Sequence, residues 1–321
     1  MIRPRAAIIT LLGDYVRNRG AEIGIGSLIN ILGNFDLSQQ AVRSAVSRMC
    51  QAGLLKARHD HGRSYYSLTK DGHNLLNKGT QRIFVRKTHQ WDGNWNMVVY
   101  SVPERRREAR DQLRLELGWL GYGPLSNATW ISPYDLTKEV EDLAEILKIK
   151  EYIQIFRAKN QDSVDPKEIV SRCWDLGKIH ERYVNFIAKY RPKLTNHMKR
   201  LRAGENIESR ECFVERFNLI HEYRKLPYLD PDLPRELLPE NWLRPQAAAL
   251  FDEYHNSLTE KANEYFDSVT NKYNTSKTIN PEQTRDINEI RYDNINLPYK
   301  LPLIAKSKHQ INKIKQNVLS S

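Results

Sequence analysis

Between Ser38 and Gly53 the chain spells out one amphipathic helix whose polar side does not resemble a water-facing surface. At 100° per residue, Ala41, Val42, Ala45, Val46 and Met49 fall within one arc of about 140° and form a face to be buried. Gln40, Arg43, Ser44, Ser47 and Arg48 share the opposite arc, with Gln39 at its start. A solvated helix face is ordinarily rich in Glu and Lys, and this one holds neither. Arg, Gln and Ser are the side chains that pair with base edges and phosphates. Ser38 is placed to cap the helix and Gly53 to stop it. The competing reading is a packed helix whose polar face is small by accident.

The flanking patterns fit the first reading. Ile8, Ile9, Leu11, Leu12, Tyr15 and Val16 make one buried helical stripe, ended by Arg17-Asn18-Arg19-Gly20. Ser27, Leu28, Ile31 and Leu32 make a short second helix up to Gly33. After the third helix, residues 54–60 and 63–68 read as two short strands about His61-Gly62. Three helices and a hairpin in that order form a winged helix-turn-helix. On that reading Gln39, Gln40, Arg43, Ser44, Ser47 and Arg48 read double-stranded DNA. His61, Gly62, Arg63 and Tyr65 form a wing on the backbone or minor groove, and Arg3, Arg5, Arg17 and Arg19 meet phosphates. His59 and His61 lack the further ligands that a zinc site needs.

Charge is unevenly spread. Residues 1–90 hold 14 Lys+Arg against 5 Asp+Glu, residues 91–271 hold 27 against 30, and residues 272–321 hold 9 against 4. A basic head on a near-neutral body favours a polyanionic partner, although a merely soluble basic face has the same count. No apolar run reaches the ~18–20 residues of a membrane span. With no signal-peptide cleavage site either, a cytoplasmic protein without a membrane partner is expected. Three distant cysteines, Cys50, Cys173 and Cys212, fit a reducing compartment. No Ser-His-Asp set, P-loop or glycine-rich dinucleotide motif appears. His180-Glu181 and His221-Glu222 lack the second histidine of a metalloprotease helix. No enzyme, metal or cofactor is expected.

From Trp91-Asp92-Gly93 onward the pattern changes. A strand at 97–100 precedes a helix opened by Pro103-Glu104, with Ala109, Leu113, Leu117 and Leu120 on one side. Strands near Leu125 and at 129–131, a helix with Val140, Leu143, Ala144 and Leu147, and a strand at 152–156 complete a β-α-β-β-α-β order, which is ferredoxin-like. Asp165-Pro166 then starts a helix, and Ile169, Cys173, Leu176, His180, Tyr183, Ile187 and Tyr190 read as one continuous seam. A helix over 212–225 carries Phe213, Phe217, Ile220, His221 and Arg224; residues 226–234 are a proline-spaced, irregular strap; a last helix holds Ala247, Phe251, Tyr254, Leu258 and Tyr265. The expected chain is multidomain α+β. A winged helix-turn-helix spans 1–88, a ferredoxin-like domain 89–162, an all-helical domain 163–271 and a basic, disordered tail 272–321. The apolar seams of the later domains predict a homodimer on an inverted repeat.

Several stretches are similar to one family. They are Leu12-Gly13-Asp14-Tyr15-Val16-Arg17, Gln40-Ala41-Val42-Arg43-Ser44-Ala45-Val46-Ser47-Arg48 and Gly62-Arg63-Ser64-Tyr65-Tyr66-Ser67-Leu68-Thr69 in the head. Further on are Trp91-Asp92-Gly93-x-Trp95, Trp130-Ile131-Ser132-Pro133, His221-Glu222-Tyr223-Arg224, and the strap Asp230-Pro231-Asp232-Leu233-Pro234 with Leu237-Leu238-Pro239. Over about residues 3–268 the chain resembles the PaaX family, the repressors of bacterial phenylacetic-acid catabolism. The resemblance implies a winged-helix head, a Cas2-like ferredoxin fold, a helical C-terminal domain and a dimer released from operator DNA by an aryl-acetyl-CoA such as phenylacetyl-CoA. Such a thioester needs cations for its phosphates and an aromatic pocket for its acyl group. Phe217, His221 and Arg224 share a helix face, flanked by Arg216 and Tyr223, with Trp174 from the preceding helix and Arg105, Arg106 and Arg107 at a junction. The competing reading has these residues simply packing the helical domain. Trp242-Leu243-Arg244 stands where the family pattern has a Trp-Pro-Gly turn, so a different geometry is expected after the strap. Two further functions are weighed. One is an architectural DNA binder without effector. The other is a Cas2-type nuclease, whose metal-binding Asp is replaced here by Ser101 after Met97-Val98-Val99-Tyr100.

Overall fold

The computed structural model describes residues 2–17, 22–84, 90–161 and 164–273. Arg19 and the tail beyond Tyr273 lie outside the described residues. The chain begins with α1 (Pro4–Leu11), which takes its proline at the first turn, where an N–H would be unpaired anyway. A single π-turn, Leu12–Val16, continues it. Then come β1 (Glu22–Gly24), α2 (Ile25–Gly33), α3 (Gln39–Gln51), β2 (Leu55–Asp60), β3 (Arg63–Leu68) and α4 (Lys70–Phe84). Ser38 caps α3 by accepting from the Ala41 N–H at 3.2 Å. His61 and Gly62 have φ of +44° and +72°. Paired left-handed residues of this kind match the twist of a two-residue hairpin turn. β3 is the central strand of a three-stranded antiparallel sheet, with β1 on one side and β2 on the other.

Neither β1 nor α4 is part of the sequence reading. Three residues are too few to show a period, and Lys70-Asp71-Gly72-His73-Asn74 has the composition of a loop. Thr69 turns that stretch into a helix start. Its hydroxyl donates to the Gly53 carbonyl at 2.5 Å and accepts from the Gly72 N–H at 3.1 Å. Gly72 is needed there because a Cβ would lie 2.3 Å from the Leu54 carbonyl oxygen.

The central unit runs β4 (Trp95–Tyr100), a 3-10 turn (Glu104–Arg106), α5 (Arg107–Leu120), β5 (Gly123–Ser126), β6 (Thr129–Ser132), α6 (Thr137–Ile146) and β7 (Ile153–Ala158). The sheet order is β5-β6-β4-β7. One face buries Val98 and Tyr100 against Leu113 and Leu117 of α5 and Val140 and Leu143 of α6. Trp95 and Ile131 belong to a second cluster, formed with α7 (Pro166–Cys173).

The last part is helical: α7, α8 (Leu176–Arg202), α9 (Ser209–Tyr223), α10 (Leu226–Leu229) and α11 (Arg244–Tyr273). The single seam expected from Ile169 to Tyr190 is two helices. Trp174 is extended, with φ −136° and ψ +134°, and Asp175 opens a new helix by accepting from the Lys178 N–H at 3.0 Å. The spacing of four and three survives this elbow by coincidence of register. The strap is also less irregular than its prolines imply, since 226–229 forms one helical turn. Arg244 holds it, ion-paired to Asp232 and 3.7 Å from Asp230, while Tyr183 donates to Asp230 at 2.7 Å.

The N-terminal part and the C-terminal helices share one core. Ala7, Ile8, Leu11 and Tyr15 pack in the same cluster as Phe213, Phe217, Phe251 and Phe266. The Tyr15 ring lies 5.0 Å from Phe266 and 5.1 Å from Phe213, and Phe35 stacks on Phe217 at 4.1 Å.

Candidate nucleic-acid interface

α3 divides as its period requires. Val42, Ala45, Val46 and Met49 are buried, against α1 and α2. Gln39, Gln40, Arg43, Ser47 and Arg48 are exposed and Ser44 is half-buried. With its amide oxygen turned inward, Gln39 accepts from Nε and Nη2 of Arg43, both at 3.2 Å, which lays the guanidinium along the outer face. Arg5 of α1 lies close enough to Arg48 for the two charges to oppose each other. Burial, then Arg48, lowers its pKa, and its Nη2 is buried without a hydrogen-bond partner. Two cations brought together on neighbouring helices form a place where a phosphate oxygen would relieve both. Sequence spacing could not reveal this pairing, because it depends on how α1 crosses α3. Arg3 and Arg17 are half-buried, and burial lowers the Arg17 pKa.

At the hairpin, His61, Gly62 and Arg63 are exposed at the turn. Tyr65, a candidate for the same contact, is buried. It is 8% exposed and lies under Arg58, whose guanidinium sits 4.7 Å from the ring centre. Arg58 in turn bonds to Glu22 and Asp60, both at 3.0 Å, so its charge is spent within the sheet. Tyr65 therefore supports the hairpin from beneath. His59 bonds to Ser64 at 3.0 Å across the strands.

The α9 residues expected at an effector site are mostly consumed by packing. Arg216 is 1% exposed and reaches Asp14 of the π-turn at 3.1 Å. It also donates to His255 Nε2 at 3.1 Å and to Asn263 at 3.3 Å, and lies 4.7 Å over the Tyr15 ring. Burial, the largest single effect, opposes its charge, but Asp14 and Tyr15 together outweigh it and raise its pKa. The same His255 nitrogen also lies 3.4 Å from Asp14 Oδ1, so the three side chains meet at one point. His221, 3% exposed, bonds to Thr10 of α1 at 3.1 Å and stacks on Phe217. Burial, with Arg224 and Lys225 adding to it, pushes its pKa down to about 3. Tyr223 stacks on Phe251 at 4.1 Å. Arg224 is set apart: its Nε is buried without a hydrogen-bond partner, and burial lowers its pKa. Asp14, one acid inside an apolar stripe, was the sequence signal that a buried cation had to meet it.

Trp174 is not with this group. It packs over Gly123 of β5 and lies 6.4 Å from Trp95, in the cluster between α7 and the central sheet. Arg105 and Arg107 are exposed, while Arg106 lies over Tyr152 and bonds to the Lys148 carbonyl. Ser101 is exposed, its N–H bonded to the Tyr152 carbonyl at 2.9 Å. Among the described residues no group of three or more His, Cys, Asp or Glu is arranged to hold a metal, and no helix is long and apolar enough to cross a membrane.

Comparison with known proteins agrees with this architecture. An uncharacterized protein from Mycobacterium tuberculosis has the same overall fold, with a TM-score of 0.52 at 22% identity over 82% of this chain and 96% of that one. The transcriptional repressor PaaX of Escherichia coli K12 is 29% identical over 238 residues, 73% of this chain and 74% of the relative. Three family models match in order: PaaX-like protein over residues 3–72, the PaaX central Cas2-like domain over 88–170 and the PaaX-like C-terminal domain over 174–268. With nearly every described element inside one of these matches, the chain belongs to the PaaX family.

Proposed function

We propose that this protein is a transcriptional repressor that binds operator DNA as a homodimer and leaves it when an aryl-acyl-CoA thioester, such as phenylacetyl-CoA, binds. The observation that carries the reading is the exposed face of α3. It presents Gln40, Arg43, Ser47 and Arg48 without an acidic residue, next to Arg5. Residues 1–88 act as a winged helix-turn-helix, with α3 in the major groove and the His61–Arg63 turn on the backbone. Residues 89–162 and 163–271 carry dimerisation and sensing. The relative named a transcriptional repressor supports the role.

The test is fluorescence anisotropy with the native upstream region of the gene. Arg43→Ala should cost about 1–3 kcal/mol of specific affinity and relax preference at one base pair. Adding phenylacetyl-CoA to the preformed complex should release DNA, while free CoA should not. Unchanged discrimination by Arg43→Ala would remove α3 from the groove, and a complex indifferent to the thioester would remove the effector.

A further inference from the structure

The elbow between α7 and α8 forms an open cavity of about 560 Å³, a size typical of small-molecule sites. Its walls are Val170, Cys173, Trp174 and Leu176 on one side and Leu237 and Pro239, just past the strap, on the other. Lys167 and Arg172 stand at the rim, exposed and without an ion pair among the described residues. Asp175 also lines it, but its carboxylate is committed to capping α8 through the Lys178 N–H. The chemistry is an apolar pocket with one indole wall and two uncommitted cations outside it. That combination suits a flat apolar body carrying negative charge at one end.

The cavity is also wired to the rest of the molecule. Trp174 sits so tightly on Gly123 that a Cβ there would fall 2.5 Å from the indole. It is followed by Trp95 at 6.4 Å and Trp91 at a further 4.9 Å, in the segment that leads back toward the N-terminal part. The indole N–H groups of Trp95 and Trp174 are buried without hydrogen-bond partners, so little but packing fixes these two rings. A ligand that shifts Trp174 presses directly on the first residue of β5.

From this geometry we infer that the α7–α8 elbow is the effector site, and that it takes an aromatic acyl anion with its ring against Trp174 and its charge between Lys167 and Arg172. The inference rests on the reading of the chain as a ligand-responsive repressor and places its sensor away from the packed face of α9. The probes are phenylacetate, phenylacetyl-CoA and CoA alone, which separate a small carboxylate from a thioester with a polyanionic tail.

The experiment follows intrinsic tryptophan fluorescence of the full-length protein and, in parallel, release of operator DNA. One of the two aromatic probes should change the emission saturably, and CoA alone should not. Lys167→Glu with Arg172→Glu, both exposed, should weaken that binding at least tenfold while leaving operator affinity without ligand unchanged. Gly177→Leu narrows the cavity at a helix position where an added Cβ meets only Asp175 at 3.8 Å. It should block the probe and preserve the fold. Wild-type affinity in both variants, or no aromatic probe bound by the wild type, overturns the site. Binding that is lost in the variants but never releases DNA upholds the site and instead overturns the proposed regulation.

Discussion

Removing the carboxylate of Asp14 isolates the most deeply buried charge in the shared core. Arg216 is 1% exposed and Asp14 14% exposed, so their 3.1 Å contact is only lightly screened by water. Breaking a buried ion pair from one side costs about 3–5 kcal/mol, because the surviving charge stays desolvated. Arg216 would keep His255 Nε2, Asn263 Oδ1 and the Tyr15 ring. Those partners and the residual exposure of Asp14 put Asp14→Ala at the lower end, about 3 kcal/mol. For a chain this large that is a fall in Tm of roughly 6–12 °C. Replacing both partners with apolar residues, Asp14→Leu with Arg216→Met, removes the desolvated charge altogether and should recover at least about 2 kcal/mol relative to Asp14→Ala. Urea denaturation of wild type, Asp14→Leu, Arg216→Met and the double variant completes the cycle, with Asp14→Ala measured beside it. If the two single costs simply add, or Asp14→Ala costs less than about 1 kcal/mol, the pair does not hold the N-terminal part to the C-terminal helices.

Arg5→Ala should move stability and binding in opposite directions. It relieves the opposition to Arg48, so Tm should hold or rise, while DNA affinity falls and the salt dependence flattens by about one counterion. Gly72→Ala forces a methyl against the Leu54 carbonyl and should cost at least about 1–3 kcal/mol in thermal melts, whereas Gly177→Ala, with open space, should hold or gain stability. His221 is neutral in the folded state with a pKa near 3, while unfolded histidine protonates at about 6.5. The unfolded state thus takes up a proton first, and stability drains as pH falls below about 6.5. The loss is about 2 kcal/mol by pH 5, and a His221→Gln variant should lose that part of the slope.

How much could be read from the sequence depended on the range of the contacts. α3, its Ser38 cap and the His61-Gly62 turn follow from neighbours in sequence, and the exposed set from Gln39 to Arg48 follows from helical period alone. The β-α-β-β-α-β order was legible because each element has its own period and glycine or proline stops. The elbow at Trp174 was not, since Cys173 and Leu176 keep a helical spacing across two residues that are not helical. Phe217, His221 and Arg224 share a face, flanked by Arg216, that looked like a pocket because aromatic and cationic residues are what a ligand and a core both use. Only the partners decide, and Phe35, Thr10 and Asp14 lie 182, 211 and 202 residues away. Tyr65 misled for a related reason: strand alternation assigns a side, but not whether Arg58 covers it.

The shared core limits how any effector could act. Parting the N-terminal helices from α9 and α11 would expose Tyr15, Phe35, Phe213, Phe217 and Phe266, each now buried. At about 1.5–3 kcal/mol for each large apolar side chain, that separation costs of the order of 10 kcal/mol before the Asp14–Arg216 pair is counted. A ligand shifts an equilibrium only by its difference in affinity between two states, typically about 1–3 kcal/mol for coupled sites. Release by swinging the N-terminal part away from the helical domain is therefore too expensive. The central unit meets the rest through Trp95 and Ile131 packed on Ile169, Val170, Cys173, Leu233 and Leu237, with Gly123 under Trp174, Trp119 stacked on Tyr228 at 5.1 Å, and the Tyr134 hydroxyl on the Asp232 carbonyl at 2.6 Å. By the same scale, parting that cluster is also too expensive, and a ligand of ordinary affinity can shift only its edge, where Trp174 meets Gly123. Under the proposed dimeric repressor, a small displacement at that edge, rather than separation of whole parts, is what would reset the spacing between two α3 helices.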